Sequence, residues 1–151
     1  MRRYLLDTNI CLAYIRGHKL YKKVEAELNL MSDDALILIS VVTKAELISL
    51  GIQNGWRNNK IKKLESLLKK LFLININEAD KNLIQSYARI DAFSQGKLPD
   101  HSNKYTSRNM GKNDLWIAAT AYVTQAELIT TDQDFDHLDS TWLTIHRFTK
   151  N

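Results

Sequence analysis

The 151-residue chain predicts an α/β fold, a three-layer α/β/α sandwich around a mostly parallel central sheet of four to five strands. Three observations carry this expectation. Strand-like and helix-like patterns alternate from end to end, which is the signature of strands joined by crossover helices. The strand-like runs, above all Ala35-Leu36-Ile37-Leu38-Ile39-Ser40, are apolar without alternation, as expected where helices cover both faces of a sheet. The stretch Leu115–Val123 is helical and apolar on nearly every side, so it belongs at the centre of the molecule.

Taken in order, Arg3–Leu6 reads as the first and central strand, ending abruptly in Asp7, Thr8 and Asn9. Asn9–Arg16 is a short helix closed by Gly17, and Lys19–Met31 is an amphipathic helix with Leu20, Val24, Leu28 and Met31 at helical spacing. A second strand ends near Ser40, and a helix from about Thr43 to Leu50 is expected to break at Gly51 and Gly55. Asn58–Leu71 carries Ile61, Leu64, Leu67, Leu68 and Leu71 on one stripe. Phe72–Ile76 is a third strand, and Asn77 is positioned to cap a helix over 78–94 whose buried face is Leu83, Ile84, Tyr87 and Ile90. After a polar loop over 95–111, Asn113 is positioned to cap the central helix to about Thr124. Glu127–Thr131 is a fourth strand, Asp132–Asp139 an acidic turn, and Thr141–His146 a last short strand at an edge.

With 44% hydrophobic residues and no repeat, low-complexity tract or linker, the chain is expected to be a single domain spanning 1–151. A net charge of +4 suits an anionic partner such as nucleic acid, and equally an ordinary basic protein, because charge speaks to association and not to fold. The lone cysteine, Cys11, excludes an internal disulfide and a thiolate zinc cluster, and reads as a small buried hydrophobe. With no signal-peptide pattern and no apolar run long enough to cross a bilayer, no membrane association and a reducing cytoplasm are expected.

Four acids stand out. Asp7 follows the first strand, Glu46 lies one turn into the helix after the second, Asp114 opens the central helix and Asp132 follows the fourth strand. Each has a plain structural alternative. Asp7 can cap the helix it precedes, and Thr43-Lys44-Ala45-Glu46 matches a capping box. Asp114 suits the positive end of a helix dipole. Asp132, Asp134 and Asp136 resemble the start of a calcium loop, but that reading fails because His137 and Leu143 occupy the positions needing glycine and glutamate. The conjunction is stronger than its members. Carboxylates gathered at one strand edge repel each other unless a cation sits among them, and hard oxygen ligands without Cys or His select Mg²⁺ or Mn²⁺. Such a site suits phosphodiester hydrolysis.

Leu5-Leu6-Asp7-Thr8-Asn9, Thr43-Lys44-Ala45-Glu46-Leu47, Asn113–Ala119 and Leu128–Phe135, in this order and at these separations, resemble the PIN-domain ribonucleases, most closely the VapC-type toxins of toxin–antitoxin modules. The resemblance covers nearly the whole chain. It implies a PIN-like fold, a Mg²⁺- or Mn²⁺-dependent endoribonuclease acting on RNA, a homodimer and a cognate antitoxin. Carried over by motif, Asp7, Glu46, Asp114 and Asp132 are the implied catalytic and metal-binding acids, and Thr8 is the hydroxyl that orients them. Asp134 and Asp136 compete with Asp132 for the fourth place, and the 95–111 stretch departs from the family pattern.

Lys104, Arg108 and Lys112, in or beside the long loop leading to Asp114, are the expected RNA-binding cations. Arg57, Lys60, Lys62, Lys63, Lys69 and Lys70 form a second basic cluster that reads equally as a solvated helix face. Trp56 and Tyr105 could stack on bases, though single aromatics are more often packing residues. A haloacid-dehalogenase phosphatase would need a second Asp where Asn9 stands, and a receiver domain would need an acid pair and a lysine that are not evident. The alternative that stays open is a catalytically inactive PIN-like module that binds RNA or protein.

Overall fold

The computed structural model describes residues 1–101 and 107–150. In chain order these form β1 (Arg2–Leu6), α1 (Thr8–Arg16), α2 (Lys19–Leu28), β2 (Ala35–Ser40), α3 (Val41–Gln53), α4 (Asn58–Lys70), β3 (Phe72–Ile74), α5 (Lys81–Ser94), α6 (Lys112–Thr124), β4 (Glu127–Thr130), a 3-10 helix (Gln133–Leu138) and β5 (Ile145–Arg147). The five strands are all parallel, in the order β3-β2-β1-β4-β5. The chain builds outward from β1 to β3 and then crosses back to place β4 on the other side of β1. The carboxyl ends of β1 and β4 therefore flank the point where strand order reverses, the crevice in which open α/β sheets bind ligands.

Two apolar clusters explain why the strands lack alternation. Tyr4 and Leu6 of β1 face a cluster built with Ile10, Ile15, Leu20, Val24, Leu47, Leu64 and Leu67, from α1 to α4. Leu5, between them, faces the opposite cluster, with Ile90, Phe93, Leu115, Ile117 and Ala118 from α5 and α6. Both faces of the central strand are dry, so every residue from Tyr4 to Leu6 is apolar and buried. Cys11 is fully buried in the first cluster. Among the described residues, no helix is long and apolar enough to cross a membrane.

Several local expectations are corrected. The helix α2 stops at Leu28, where Asn29 turns left-handed. α3 does not start at Thr43 with a capping box; it starts at Val41, and Ser40 Oγ accepts from the Val42 N–H at 3.1 Å. Nor does Gly51 break it. A side chain there would press within 3.0 Å of the buried Trp56 ring, so the glycine serves close packing and the helix runs on to Gln53. Trp56 is thus a core residue and not a base-stacking platform. Asp80, not Asn77, caps α5, accepting from the Leu83 N–H at 3.0 Å, and Ile84 lies on the exposed face. Gly111 occupies the cap position of α6, which places Asn113 inside the helix. Strand β3 is cut to three residues, and β5 begins only at Ile145, after Asp139 Oδ1 has accepted from the Ile145 N–H.

Candidate active site

The acids predicted from sequence converge at the carboxyl edge of β1 and β4. Asp7 leaves β1 with its main-chain N–H bonded to the Ile129 carbonyl at 3.0 Å, which pins it to the neighbouring strand. It is buried, and both of its oxygens are engaged. Oδ1 accepts from the Thr8 N–H at 2.8 Å and Oδ2 from the Thr130 hydroxyl at 2.6 Å. The capping and site readings are therefore not exclusive, since the same carboxylate starts α1 and is electrostatically coupled to Asp132 and Glu46.

Glu46 comes from α3 and has left the capping role to Ser40. Its Oε1 accepts from the Thr8 hydroxyl at 2.8 Å, with the buried Thr43 Oγ1 3.4 Å from the same hydroxyl. Asp132 caps the 3-10 helix, accepting from the Asp134 N–H at 2.9 Å. Its own N–H donates to Thr130 Oγ1 at 3.0 Å. Thr130 thus bridges Asp7 and the turn that carries Asp132, a role the sequence reading missed. The available signal was a hydroxyl at the end of an apolar strand, two residues before an acid.

Asp114, in the first turn of α6, completes the set. Oxygens of Asp114, Asp132 and Asp134 lie within 4.8 Å of one another. Asp136 turns away and pairs with Arg147 at 2.8 Å. Of the three acids competing for the fourth place, two stand in the crevice and one does not.

The electrostatics of this edge are unbalanced. Burial pushes the Asp7 carboxyl above the usual range, against the lowering effect of the Thr130 and Thr8 hydrogen bonds, and Asp132 and Glu46 raise it further. Asp114 is pushed up to about 7, first by burial and then by Asp7, Asp132, Asp134 and Glu46. None of the ion pairs found among the described residues reaches any of these five acids. A cluster of hard oxygen donors in which burial and neighbouring carboxylates hold Asp7 and Asp114 above the usual range is a set which a small divalent cation fits, because binding relieves the repulsion.

Around the acids, a groove of about 450 Å³ opens beside Glu46, lined by Val42, Ala45, Ser49 and Asn113 among others. A larger one, of about 930 Å³, lies at the opposite edge of the sheet near Glu127 and Trp142. Size does not locate the chemistry here, since the larger groove holds none of the five acids. Of the expected RNA-binding cations, Lys112 is exposed at the start of α6 and Arg108 is half-buried before it. Lys104 falls outside the described residues, as does Tyr105.

The PIN-domain family profile matches residues 4–140. The fold is similar to solved structures over nearly all of both chains. VapBC2 from Rickettsia felis, bound to a DNA fragment from its promoter, is 24% identical with a TM-score of 0.71, covering 96% of this chain and 98% of that one. VapBC-1 from nontypeable Haemophilus influenzae is 26% identical with a TM-score of 0.67, covering 96% and 97%. VapBC-5 from Mycobacterium tuberculosis, a member of the VapBC family of toxin–antitoxin systems, is 25% identical with a TM-score of 0.63, covering 98% and 100%. No curated protein matches the chain.

Proposed function

The chain belongs to the PIN-domain family, and from that premise we propose that it is a metal-dependent endoribonuclease, the VapC-type toxin of a toxin–antitoxin module. The observation that carries the reading is the convergence of Asp7, Glu46, Asp114 and Asp132, joined by Asp134, on one strand edge without an ion-pair partner among the described residues. The whole chain, 1–151, works as one nuclease domain in the cytoplasm. Likeness to toxin–antitoxin complexes supports a cognate antitoxin as its protein partner; a homodimer is the assembly we propose from the family resemblance alone.

Asp7, Asp114, Asp132 and Glu46 would hold the ion, Mg²⁺ or Mn²⁺, with Asp134 as a further donor. When bound, the ion supplies charge neutralisation at the scissile phosphate and polarises the attacking water. The chain's own residues do the positioning. Thr130 holds the Asp7 carboxylate at 2.6 Å and Thr8 holds Glu46 at 2.8 Å, so neither acid needs to reorganise as substrate arrives. Lys112 and Arg108, on the segment that enters α6, guide the RNA backbone toward the acids. Lys104 belongs to the same proposed set by sequence.

Purified protein incubated with a mixed cellular RNA pool tests this. Cleavage is expected with Mg²⁺ or Mn²⁺, and is lost with chelator and in Asp114→Asn. Wild type and mutant that behave alike with every metal, while both still bind RNA or a protein partner, would overturn the nuclease in favour of an inactive binding module.

A further inference from the structure

Behind the acids, two buried polar side chains face each other inside an apolar cluster. Ser94, the last residue of α5, and His137, in the 3-10 helix, are 0% and 1% exposed, and Ser94 Oγ lies 2.7 Å from His137 Nε2. Ser94 also grips the segment that enters α6. Its Oγ is 3.2 Å from Met110 Sδ, and its carbonyl accepts from the Arg108 N–H at 2.6 Å. The His137 ring stacks on Phe93, 7° from parallel with centroids 6.5 Å apart. Its Nδ1 is buried with no partner in hydrogen-bond geometry among the described residues.

Leu5, Ile90, Leu115, Phe135 and Leu138 make up the same cluster, and apolar residues could fill the two positions without the cost of burying polar atoms. What the polar pair adds is direction. Dispersion tolerates sliding, whereas a hydrogen bond fixes distance and orientation. The two segments tied to Ser94 each carry acids of the site. Met110 lies four residues before Asp114, and His137 three after Asp134. Oxygens of these acids stand within 4.8 Å of each other, where like charges push the segments apart. We propose that the Ser94–His137 pair is a positioning clamp, holding the entry to α6 and the 3-10 helix at the spacing that Asp114, Asp132 and Asp134 need to share a divalent cation. The cation part rests on the nuclease reading above.

The test compares Ser94→Ala and His137→Phe, which keeps the ring stack and removes the hydrogen bond, with Val24→Ala, a cavity in the opposite cluster. Mn²⁺ affinity is measured by calorimetry on the full chain, alongside melting temperature and amide hydrogen exchange. The clamp predicts that each of the first two variants weakens Mn²⁺ binding about tenfold or more, and that the double mutant is no weaker than either single one. It also predicts that exchange rises together over 108–114 and 133–138. Val24→Ala is expected to lower the melting temperature without changing Mn²⁺ affinity. If Ser94→Ala fails to fold, His137→Phe carries the comparison. Variants that melt earlier like Val24→Ala, yet bind Mn²⁺ as wild type and show no paired rise in exchange, overturn the clamp. Wild-type protein that takes up no Mn²⁺ would overturn the nuclease reading instead, while the exchange pattern still decides the clamp.

Discussion

At the amino-terminal edge of the sheet Glu127 receives Arg2 at 2.7 Å and His146 at 2.9 Å, whereas at the carboxyl-terminal edge five carboxylates crowd together with no ion pair among the described residues. The electrostatic outcomes are opposite. The Arg2 hydrogen bond, opposed by partial burial and aided by His146, holds Glu127 below the usual glutamate range. Burial and mutual repulsion push Asp7 and Asp114 above it. An acid that serves structure is neutralised by the fold itself. At the other edge the fold spends hydroxyls and main-chain N–H groups on orientation and leaves the charge uncompensated, which is the arrangement a cation-dependent site requires.

The largest effect that would break this contrast is on catalysis. Asp7→Asn is expected to lower RNA cleavage on the order of a hundredfold or more, because electrostatic stabilisation by a bound cation is worth several kcal/mol. A gel assay with Mn²⁺ reads it, and near-normal cleavage would return Asp7 to a purely capping role. Next is Thr130→Val, which removes the hydroxyl that bonds Asp7 Oδ2 and the Asp132 N–H. Mn²⁺ affinity should fall about tenfold, as for lost partners of metal-binding carboxylates. Unchanged affinity by calorimetry would mean that Asp7 is held by the strand alone.

Stability against pH sharpens the comparison further. Because Asp114 in the folded protein titrates near 7, above its ordinary value of 3.8, the native state binds more protons than the unfolded chain between those values. The metal-free protein should therefore melt at progressively lower temperature as pH rises from about 4 to 7. Asp114→Asn should flatten that slope and raise the melting temperature at pH 8, even as cleavage is lost. A wild-type slope unchanged in the mutant would place the repulsion elsewhere. Glu127 has the opposite sign, since its lowered value contributes stability that is present above the ordinary glutamate range and lost as pH falls below that range through its folded value. The effect of Glu127→Gln is the smallest, a melting shift of about 2 °C, because exposed pairs are weak and screened. Cleavage should be unaffected, and a loss there would tie the two edges together.

Much of this was legible in the residues. The consecutive apolar residues at 4–6, 35–39 and 128–129 lack the alternation of a half-exposed strand and call for cover on both faces, which points to a parallel sheet wrapped in helices, with Asp7 and Asp132 just beyond two of the strand ends. The order of Asp7, Glu46, Asp114 and Asp132 was likewise readable, because those acids lie at or near helix starts and strand ends that local pattern identifies. Helix boundaries were less so. Asp80 and Ser40 outcompeted Asn77 and Thr43 as caps, since several hydroxyl and carboxylate side chains near a helix start can each reach an N–H and only the backbone path chooses among them. Gln125 ends α6 in the left-handed region, where a glycine would have announced the stop.

By itself, then, the sequence determined the layered α/β class and the set of acids available to one edge, because hydrophobic period and the position of an acid relative to a strand are local properties. Only the tertiary structure decided which side chains from different elements meet. It placed Thr130 on Asp7, sent Asp136 to Arg147 while leaving Asp134 beside Asp114, and joined Ser94 to His137. Those pairings depend on strand order and on the close packing of two opposite clusters, and no local pattern encodes a distance between segments that only the completed sheet brings together.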